Sequence, residues 1–236
     1  MNRVNFIDLG LKDYKETWDF QQEIQNNVIR AKTGEDPSSV LPCLIFVEHP
    51  HVYTLGKSGK ENNLLIHDDF IKSINASYYK IDRGGDITYH GPGQLVGYPV
   101  FDLDALKIGV KKYIQLLEES IILMLSDFGI TAGRLDGATG VWIESSPMPK
   151  QKKICAIGVK ISRGVTMHGF ALNVSTDLTY FSWINPCGFT DKGVTSMEKE
   201  TGQPVSMDVV KKALIRRMEE QFGIEIPPFS RNDRPC

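Results

Sequence analysis

The sequence predicts one α+β domain in which a mixed or antiparallel sheet is flanked by helices. Segments with helical periodicity lie near both ends and in the middle of the chain, whereas the β-rich segments follow one another, and this order favours α+β over an alternating α/β fold. The chain has 236 residues, 41% hydrophobic and 24% charged, which suits a single domain spanning residues 1–236. The polar tail from about residue 227 is expected to be disordered.

The first half of the chain contains one predicted helix and three predicted strands. Phe20, Ile24 and Val28 recur at every fourth residue, so a helix is expected from about Asp13 to the polar run TGEDPSS. The strands are predicted in LPCLIFVEHP (residues 41–50), YYKID (78–82) and LVGYPVFDL (95–103).

The second half begins and ends with a helix. Apolar residues from Val110 to Phe128 follow one helical face, and Gly129 stands where a helix normally ends. Three β-rich segments come next, GVWIE (140–144), KICAIGVKI (153–161) and GFALNV (169–174), with hairpin-like connections. The stretch SSPMPKQKK before the second of them is expected to be a mobile loop. A final helix is predicted from about Met207 to Gly223.

The charge pattern argues against several functional classes. A net charge of −2 provides no overall field for binding nucleic acid or a membrane surface. The N-terminal residues lack the apolar core of a signal peptide, and the longest apolar run, Ile121 to Leu125, is too short to cross a bilayer. The four cysteines form no CxxC pair, so reduced thiols and a cytoplasmic location are expected. A monomer is the default expectation.

The stretch RGGDITYHGPGQ (residues 83–94) is the first candidate site. Four glycines give up side-chain contacts, which a chain accepts where the backbone bends sharply or a ligand comes close. Arg83, Tyr89, His90 and Gln94 are costly to bury without partners. The spacing GxGxxxG does not match the dinucleotide-binding pattern. A binding loop is therefore favoured, with tight turns and no ligand as the alternative.

Cys187 is the candidate nucleophile. In NPCGF it lies between Pro186 and Gly188, in a loop context where its sulfur is reachable, but a thiol needs a nearby base or cation to become reactive. An inert loop cysteine is the alternative. Cys155 lies inside the apolar run ICAIGV and is predicted to be a neutral packing residue. The histidines show neither HExxH nor another paired ligand spacing, so no metal site is predicted.

Four ordered blocks between residues 44 and 200 give a more specific indication. They are EHPHVYTLG (48–56), RGGDITYHGPGQLVGYPVFDL (83–103), KICAIGVKISRGVTMHGFALNV (153–174) and NPCGFTDKGVTSM (185–197). Together they resemble the octanoyltransferase family, the lipoyl(octanoyl) transferases of lipoate biosynthesis. The resemblance implies a fold similar to the catalytic domain of biotin and lipoate protein ligases.

The resemblance also implies a reaction. Members of that family move an octanoyl group from octanoyl-acyl carrier protein to a lysine on the lipoyl domains of 2-oxo acid dehydrogenases or on the glycine cleavage H protein. No cofactor is expected. By carry-over, Cys187 would hold an acyl-thioester and Lys153 would be its partner, with Lys152 as the alternative register. Without the resemblance, the lysines of PKQKK would be read as solvated loop residues.

The carried-over substrate pocket comprises three segments. They are Arg83, Gly84, Gly85, Asp86, Ile87, Thr88, Tyr89 and His90; Ala156, Ile157 and Gly158; and Gly169, Phe170 and Ala171. Asp86 departs from the family pattern, where glutamine is common, and Cys155 stands where alanine is common. Two other classes stay open at this point, an ATP-dependent lipoate-protein ligase and a non-catalytic module that binds acyl carrier protein or lipoyl domains.

Overall fold

The computed structural model of the protein describes residues 2–35, 41–145, 150–185 and 193–227. The helices of this part of the chain are α1 (Tyr14–Thr33), α2 (Asp68–Ser73), α3 (Val110–Asp127), α4 (Met197–Thr201) and α5 (Met207–Phe222), and two 3-10 helices cover Glu61–Asn63 and Leu178–Trp183. The strands are β1 (Asn2–Arg3), β2 (Asn5–Leu11), β3 (Cys43–Glu48), β4 (Val52–Leu55), β5 (Ser77–Lys80), β6 (Ile87–His90), β7 (Gln94–Val100), β8 (Gly133–Leu135), β9 (Ala138–Ser145), β10 (Lys150–Ser162), β11 (Val165–Asn173), β12 (Gly193–Val194) and β13 (Ile224–Glu225).

The main sheet is mixed. Its strand order is β2-β3-β7-β11-β10-β9-β8, with β12 added beside β10. The β2–β3 and β10–β12 pairs are parallel and the others are antiparallel. A second sheet has the order β5-β4-β6, and β1 pairs with β13. This arrangement confirms the predicted α+β class and the hairpin connections between β9, β10 and β11.

Helices cover both faces of the main sheet because alternate side chains of a strand point to opposite faces. Leu44 and Phe46 of β3 belong to a core shared with α3 and α5, whereas Ile45 and Val47 belong to a second core shared with α1. Each fully buried side chain of this kind stabilises the fold by roughly 1.5–3 kcal/mol relative to an exposed one. The two apolar layers therefore hold the sheet between the helices.

The three long helices lie where the apolar periodicity predicts them. Asp13 caps α1, and its carboxylate accepts a hydrogen bond of 3.0 Å from the amide of Glu16. Left-handed glycines follow the helix ends, Gly34 at φ 76° after α1 and Gly223 at φ 62° after α5. Gly129, the predicted stop signal, lies two residues beyond the last residue of α3.

Two parts of the chain differ from the sequence-based expectation. The N-terminal residues form β2, a parallel neighbour of β3, although NFIDLGL carries polar residues and a glycine that obscure its pattern. Lys152, expected in a mobile loop, lies in β10, where it pairs with both β9 and β12, so this strand begins before the predicted start at Lys153. Strand pairing with distant residues decides both cases. The predicted disorder of the tail concerns residues 228–236, which lie outside the described residues.

Within the described residues, no helix has the length and apolarity needed to cross a membrane.

Candidate active site

A cavity of about 660 Å³ lies where the main sheet meets the three-stranded sheet. Strands β6, β7, β9, β10, β11 and β12 line it, together with the 3-10 helix Leu178–Trp183. A volume of this size is typical of sites for small molecules.

Most of the residues singled out from the sequence line this cavity. They are Arg83, Gly85, Asp86, Ile87, Thr88, His90, Lys153, Ala156, Ile157, Gly158, Gly169, Phe170 and Ala171. The second and third predicted segments meet because β10 and β11 form an antiparallel hairpin that pairs Ile157 with Phe170 and Gly158 with Gly169.

Three predicted site residues are not part of the described cavity wall. Gly84 donates a backbone hydrogen bond of 2.9 Å to Val159 and so attaches the glycine-rich loop to β10. Tyr89 has its ring on the other side of β6, stacked on Tyr180 with the ring centroids 4.8 Å apart. Cys187 lies outside the described residues.

Lys153 and Lys152 leave β10 in opposite directions. Lys153 lines the cavity, and its Nζ lies 4.6 Å from the ring centroid of Trp142, its cross-strand partner on β9. The ammonium of Lys152 lies 3.9 Å from the carboxylate of Glu200. Successive residues of a strand face opposite sides, so only one of these two lysines can present its ammonium to the cavity. The geometry favours Lys153 for that role.

Arg83 and Asp86 fix the glycine-rich loop. The buried guanidinium of Arg83 donates hydrogen bonds of 2.7 and 3.0 Å to the carbonyl and hydroxyl oxygens of Thr54. The carboxylate of Asp86 accepts from the side-chain amide of Asn63 at 2.6 Å and from the backbone amide of Ile87 at 2.7 Å. Asp86 therefore adds to the cavity wall an acidic group whose oxygens are hydrogen-bonded to Asn63 and Ile87.

Gly169 is required by close packing between β11 and β7. A Cβ atom at this position would collide with the backbone carbonyl oxygen of Gly97 and lie 2.7 Å from Cδ of Pro99. Opposite this point, the amide of His168 donates to the side-chain oxygen of Gln21 at 3.0 Å, in a strand segment where His168 adopts a φ of 59°. Both His168 and Gly169 line the cavity.

An ion-pair network supports the wall behind the cavity. Nε2 of His168 lies 3.0 Å from one carboxylate oxygen of Asp82, and Nζ of Lys160 lies 2.6 Å from the other. The hydrogen bond from His168, reinforced by Lys160, holds the pKa of Asp82 well below its usual range. Burial lowers the pKa of His168, so its imidazole is neutral and donates Nε2–H to the carboxylate.

Residues that could bind a metal ion were sought throughout the described part of the chain. The described residues contain no group of three or more histidine, cysteine, aspartate or glutamate side chains that could hold a metal ion.

Comparisons with known proteins decide the family. The model of the lipoyl protein ligase A/B catalytic domain matches residues 13–219. Octanoyltransferases of Cytophaga hutchinsonii and Bacteroides thetaiotaomicron are each 56% identical to this chain. The first alignment covers 93% of this chain and 92% of the relative, and the second covers 88% and 90%.

This chain belongs to the octanoyltransferase family.

Its members act on carrier proteins and lipoyl domains in lipoate biosynthesis, so the chain is an acyltransferase. A bipartite lipoate protein ligase of Thermoplasma acidophilum superposes with a TM-score of 0.70 at 18% identity, covering 96% of this chain and 86% of that protein. At this identity the likeness concerns the fold alone, and it confirms the ligase-like architecture expected from the sequence.

Several residues of the octanoyltransferase cavity escaped the sequence-based prediction. They are Tyr14 on α1, the β9 residues Ala138, Thr139 and Trp142, and Leu178, Phe181 and Ser182 of the 3-10 helix. Trp142 lies in a predicted strand, but the pairing that sets it beside Lys153 is not visible in the local pattern. Alternation along GVWIE could have identified which residues share a face, but not what that face covers.

The two cysteines within the described residues, Cys43 and Cys155, are packing residues. Cys43 and Cys155 are both buried, in β3 and β10. Burial raises the pKa of the Cys155 thiol well above its usual range. The prediction that Cys155 is a neutral core thiol is therefore confirmed, although this octanoyltransferase carries it one residue before the cavity residue Ala156.

Proposed function

We propose that this octanoyltransferase carries the octanoyl group as a thioester on Cys187, with Lys153 as the partner that handles protons. The donor would be octanoyl-acyl carrier protein. The acceptors would be the lipoyl-domain lysines of 2-oxo acid dehydrogenases and the corresponding lysine of the glycine cleavage H protein.

The observation that carries the proposal is the position of Lys153 beside the two ends of the chain that flank Cys187. Asn185 and Gly193 both line the cavity with Lys153. Gly193 pairs with Lys152 in the parallel β10–β12 ladder, and the amide of Thr195 donates to the carbonyl of Lys153 at 3.0 Å. Two peptide units, each about 3.8 Å between α-carbons, link Asn185 to Cys187, so the thiol is within covalent reach of the cavity.

In the proposed chemistry, Lys153 stabilises the thiolate of Cys187 and then transfers a proton in each half-reaction. An ammonium beside a thiol favours the thiolate, which attacks the carbonyl carbon of the carrier thioester. The C–S bond to Cys187 forms, the C–S bond to the carrier breaks, and Lys153 gives a proton to the departing thiolate. In the second half-reaction the target amine attacks, its C–N bond forms, and the thiolate of Cys187 leaves while Lys153 takes back a proton.

The walls of the cavity suit an alkyl chain. Ala156, Gly158, Gly169 and Ala171 present little side-chain volume, and Ile157 and Phe170 add apolar surface. Each buried methylene contributes about 0.8 kcal/mol, so the roughly seven carbons beyond the carbonyl can supply several kcal/mol of binding.

The two alternative classes are less well supported. The relatives at 56% identity carry the name octanoyltransferase rather than ligase, and a non-catalytic module would not account for a lysine placed on the wall of a deep cavity. An ATP-dependent ligase activates a free acid and needs no cysteine. Octanoyl transfer from the carrier protein in the absence of ATP therefore separates the proposed function from a ligase.

A mass-spectrometric experiment tests the thioester. The protein is incubated with octanoyl-acyl carrier protein without acceptor and digested, and an octanoyl increment is expected on the peptide that contains Cys187. Adding a lipoyl domain should remove the label from that peptide and transfer it to the domain. Cys155→Ala serves as the matched control and should be labelled like the wild type. Label on the Cys155 peptide, or no label in a preparation that transfers octanoyl groups, would refute the thioester.

A further inference from the structure

The proposed reaction releases one proton more than Lys153 can accept. A lysine side chain has a pKa near 10.4, so the acceptor enters as an ammonium at neutral pH and must lose two protons to become an amide nitrogen. Lys153, which has protonated the departing carrier thiol, is neutral in the second half-reaction and can take one of them. The other proton needs a different acceptor.

His90 offers a nitrogen in a suitable position. It lies at the end of β6, lines the cavity and is 6% exposed. Its Nδ1 is 2.8 Å from the side-chain oxygen of Gln94. Nε2 is the other polar atom of the side chain. Within the described residues it has no hydrogen-bond partner, and it is not among the unpaired atoms that protein encloses completely.

A directional hydrogen-bond chain fixes which nitrogen of His90 carries the proton. The carbonyls of Tyr89 and Thr195 can only accept, so the amide nitrogens of Gln94 and Asn173 must face them, at 3.1 and 3.0 Å. The amide nitrogen of Gln94 also donates to the side-chain oxygen of Asn173 at 2.9 Å. Gln94 therefore presents its oxygen to His90.

The consequence for His90 is a defined tautomer. Nδ1 must carry hydrogen in order to donate to the oxygen of Gln94, which leaves a lone pair on Nε2. The ring is held by stacking on Tyr14, with centroids 5.8 Å apart and planes 13° from parallel. Burial lowers the pKa of His90 well below its usual value, and the nearby His49, Arg83 and His168 act in the same direction. The imidazole is therefore neutral at rest.

Two neighbouring histidines are less suited to this task. His49 binds the Lys12 carbonyl through Nδ1 and the Tyr98 hydroxyl through Nε2, both at 2.8 Å. His168 also lines the cavity, but its Nε2 binds Asp82 and its Nδ1 is completely enclosed by protein. Of these three rings, His90 is the one with a lone pair on an atom that is not enclosed.

We propose that His90 is a second proton acceptor in the amide-forming half-reaction; this assignment rests on the proposed function. As the amine attacks, the C–N bond forms, the C–S bond to Cys187 breaks, and its electron pair returns to the sulfur. Of the two protons that leave the amine, one goes to Lys153. The other passes from the newly acylated nitrogen to Nε2 of His90 and then to solvent.

A weak base is sufficient for this step. Nitrogen bonded to an acyl carbon holds an extra proton far more weakly than an ammonium does, because its lone pair is delocalised into the carbonyl. His90 therefore does not compete with Lys153 for the first proton. The chain from Gln94 through Asn173 to Thr195, whose amide binds the backbone carbonyl of Lys153, connects the side chain of His90 to the strand that carries Lys153.

The test measures the two half-reactions separately in His90→Asn, which can keep the donor to Gln94 and lacks Nε2. Formation of the octanoyl-enzyme should proceed at close to the wild-type rate, whereas transfer to the lysine of a lipoyl domain should slow by about 100-fold, as for loss of a general base. His90→Gln offers an amide near the position of Nε2 that accepts a hydrogen bond but not a proton, and it should be equally slow. His49→Asn is the matched control and should leave the ratio of the two rates unchanged.

Hydroxylamine distinguishes proton acceptance from a structural role. It is uncharged at neutral pH and loses one proton on acylation, which Lys153 can take, so both His90 variants should transfer octanoyl to hydroxylamine at the wild-type rate. Three results would overturn the assignment. The His90 variants could transfer octanoyl equally slowly to hydroxylamine and to lysine, both variants could form the octanoyl-enzyme slowly, or His90→Gln could be fully active. If wild-type protein formed no octanoyl thioester on Cys187, the proposed function itself would fail, and the assignment of His90 with it.

Discussion

Lys153→Ala is expected to lower octanoyl transfer by at least about 100-fold, whereas Lys152→Ala should leave it nearly unchanged, because proton transfer by a positioned side chain contributes roughly 10²–10⁴-fold. The two lysines are adjacent in the chain but leave β10 on opposite faces, one to the cavity and the other to Glu200. The two variants therefore remove the same type of side chain from adjacent positions, and they differ only in the face of β10 from which it is removed.

The effects on stability are expected to be small for both variants. Loss of the contact between Lys153 and Trp142 should cost about 0.5–2 kcal/mol. The ion pair of Lys152 with Glu200 is 3.9 Å long, with side chains 30% and 21% exposed, and should contribute about 0.2–1 kcal/mol. Each kcal/mol shifts the melting temperature of a chain of this size by about 2–4 °C. A large difference in activity would thus not reflect unfolding.

The assay is octanoyl transfer from carrier protein to a lipoyl domain, followed by mass spectrometry, with melting curves of each variant. Lys153→Arg keeps a positive charge near Trp142 but transfers protons poorly, so it should form the thioester more readily than Lys153→Ala and still turn over slowly. Equal loss of activity in Lys152→Ala and Lys153→Ala would refute the assignment, and so would full activity of Lys153→Ala.

Three further outcomes follow from the described residues. Gly169→Ala should destabilise the protein by about 1–3 kcal/mol in denaturant unfolding, because the new methyl group would collide with the carbonyl oxygen of Gly97 and overpack against Pro99; wild-type stability would contradict this. Cys155 should resist alkylation by iodoacetamide at pH 8 until the protein is unfolded, since the thiol is buried and its pKa is raised; rapid labelling of the native protein would contradict it. Burial lowers the pKa of His49 to about 4. As the pH falls below 6.5, this imidazole therefore becomes protonated in the unfolded chain while it stays neutral in the folded protein. The free energy of unfolding should decrease by roughly 3 kcal/mol between pH 6.5 and about pH 4. His49→Asn lacks this pH dependence, so the difference between its free energy of unfolding and that of the wild type should become smaller from pH 7 to pH 4.5. An unchanged difference would argue against a neutral buried imidazole.

Asp86 joins the glycine-rich loop to a neighbouring part of the chain. Its carboxylate binds Asn63, whose carbonyl in turn accepts from the amide of Asn185 at 2.8 Å. Asp86 therefore links the glycine-rich loop to the chain that leads toward Cys187. Its acidic side chain makes the cavity wall polar at this point and takes part in this local hydrogen bonding.

The long helices and most of the main-sheet strands are readable in the sequence because each depends on residues close together in the chain. Phe20, Ile24 and Val28 mark α1 by their spacing, and the glycine-rich stretch marks a site by its composition. The cavity itself required strand pairing across large sequence separations. Tyr14 on α1 and the 3-10 helix Leu178–Trp183 also reach the cavity through tertiary packing, which no local periodicity in the sequence predicts.

By itself, the sequence determined the α+β class, the order of the main elements and the family, since these follow from apolar spacing and from ordered blocks of residues. The tertiary structure decided which neighbouring side chain faces the cavity. It selects Lys153 over Lys152, turns Tyr89 away from the cavity while His90 borders it, and sets the tautomer of His90 through Gln94 and Asn173. The physical reason is that a strand alternates its faces at every residue, and only the packing of distant segments determines what each face meets.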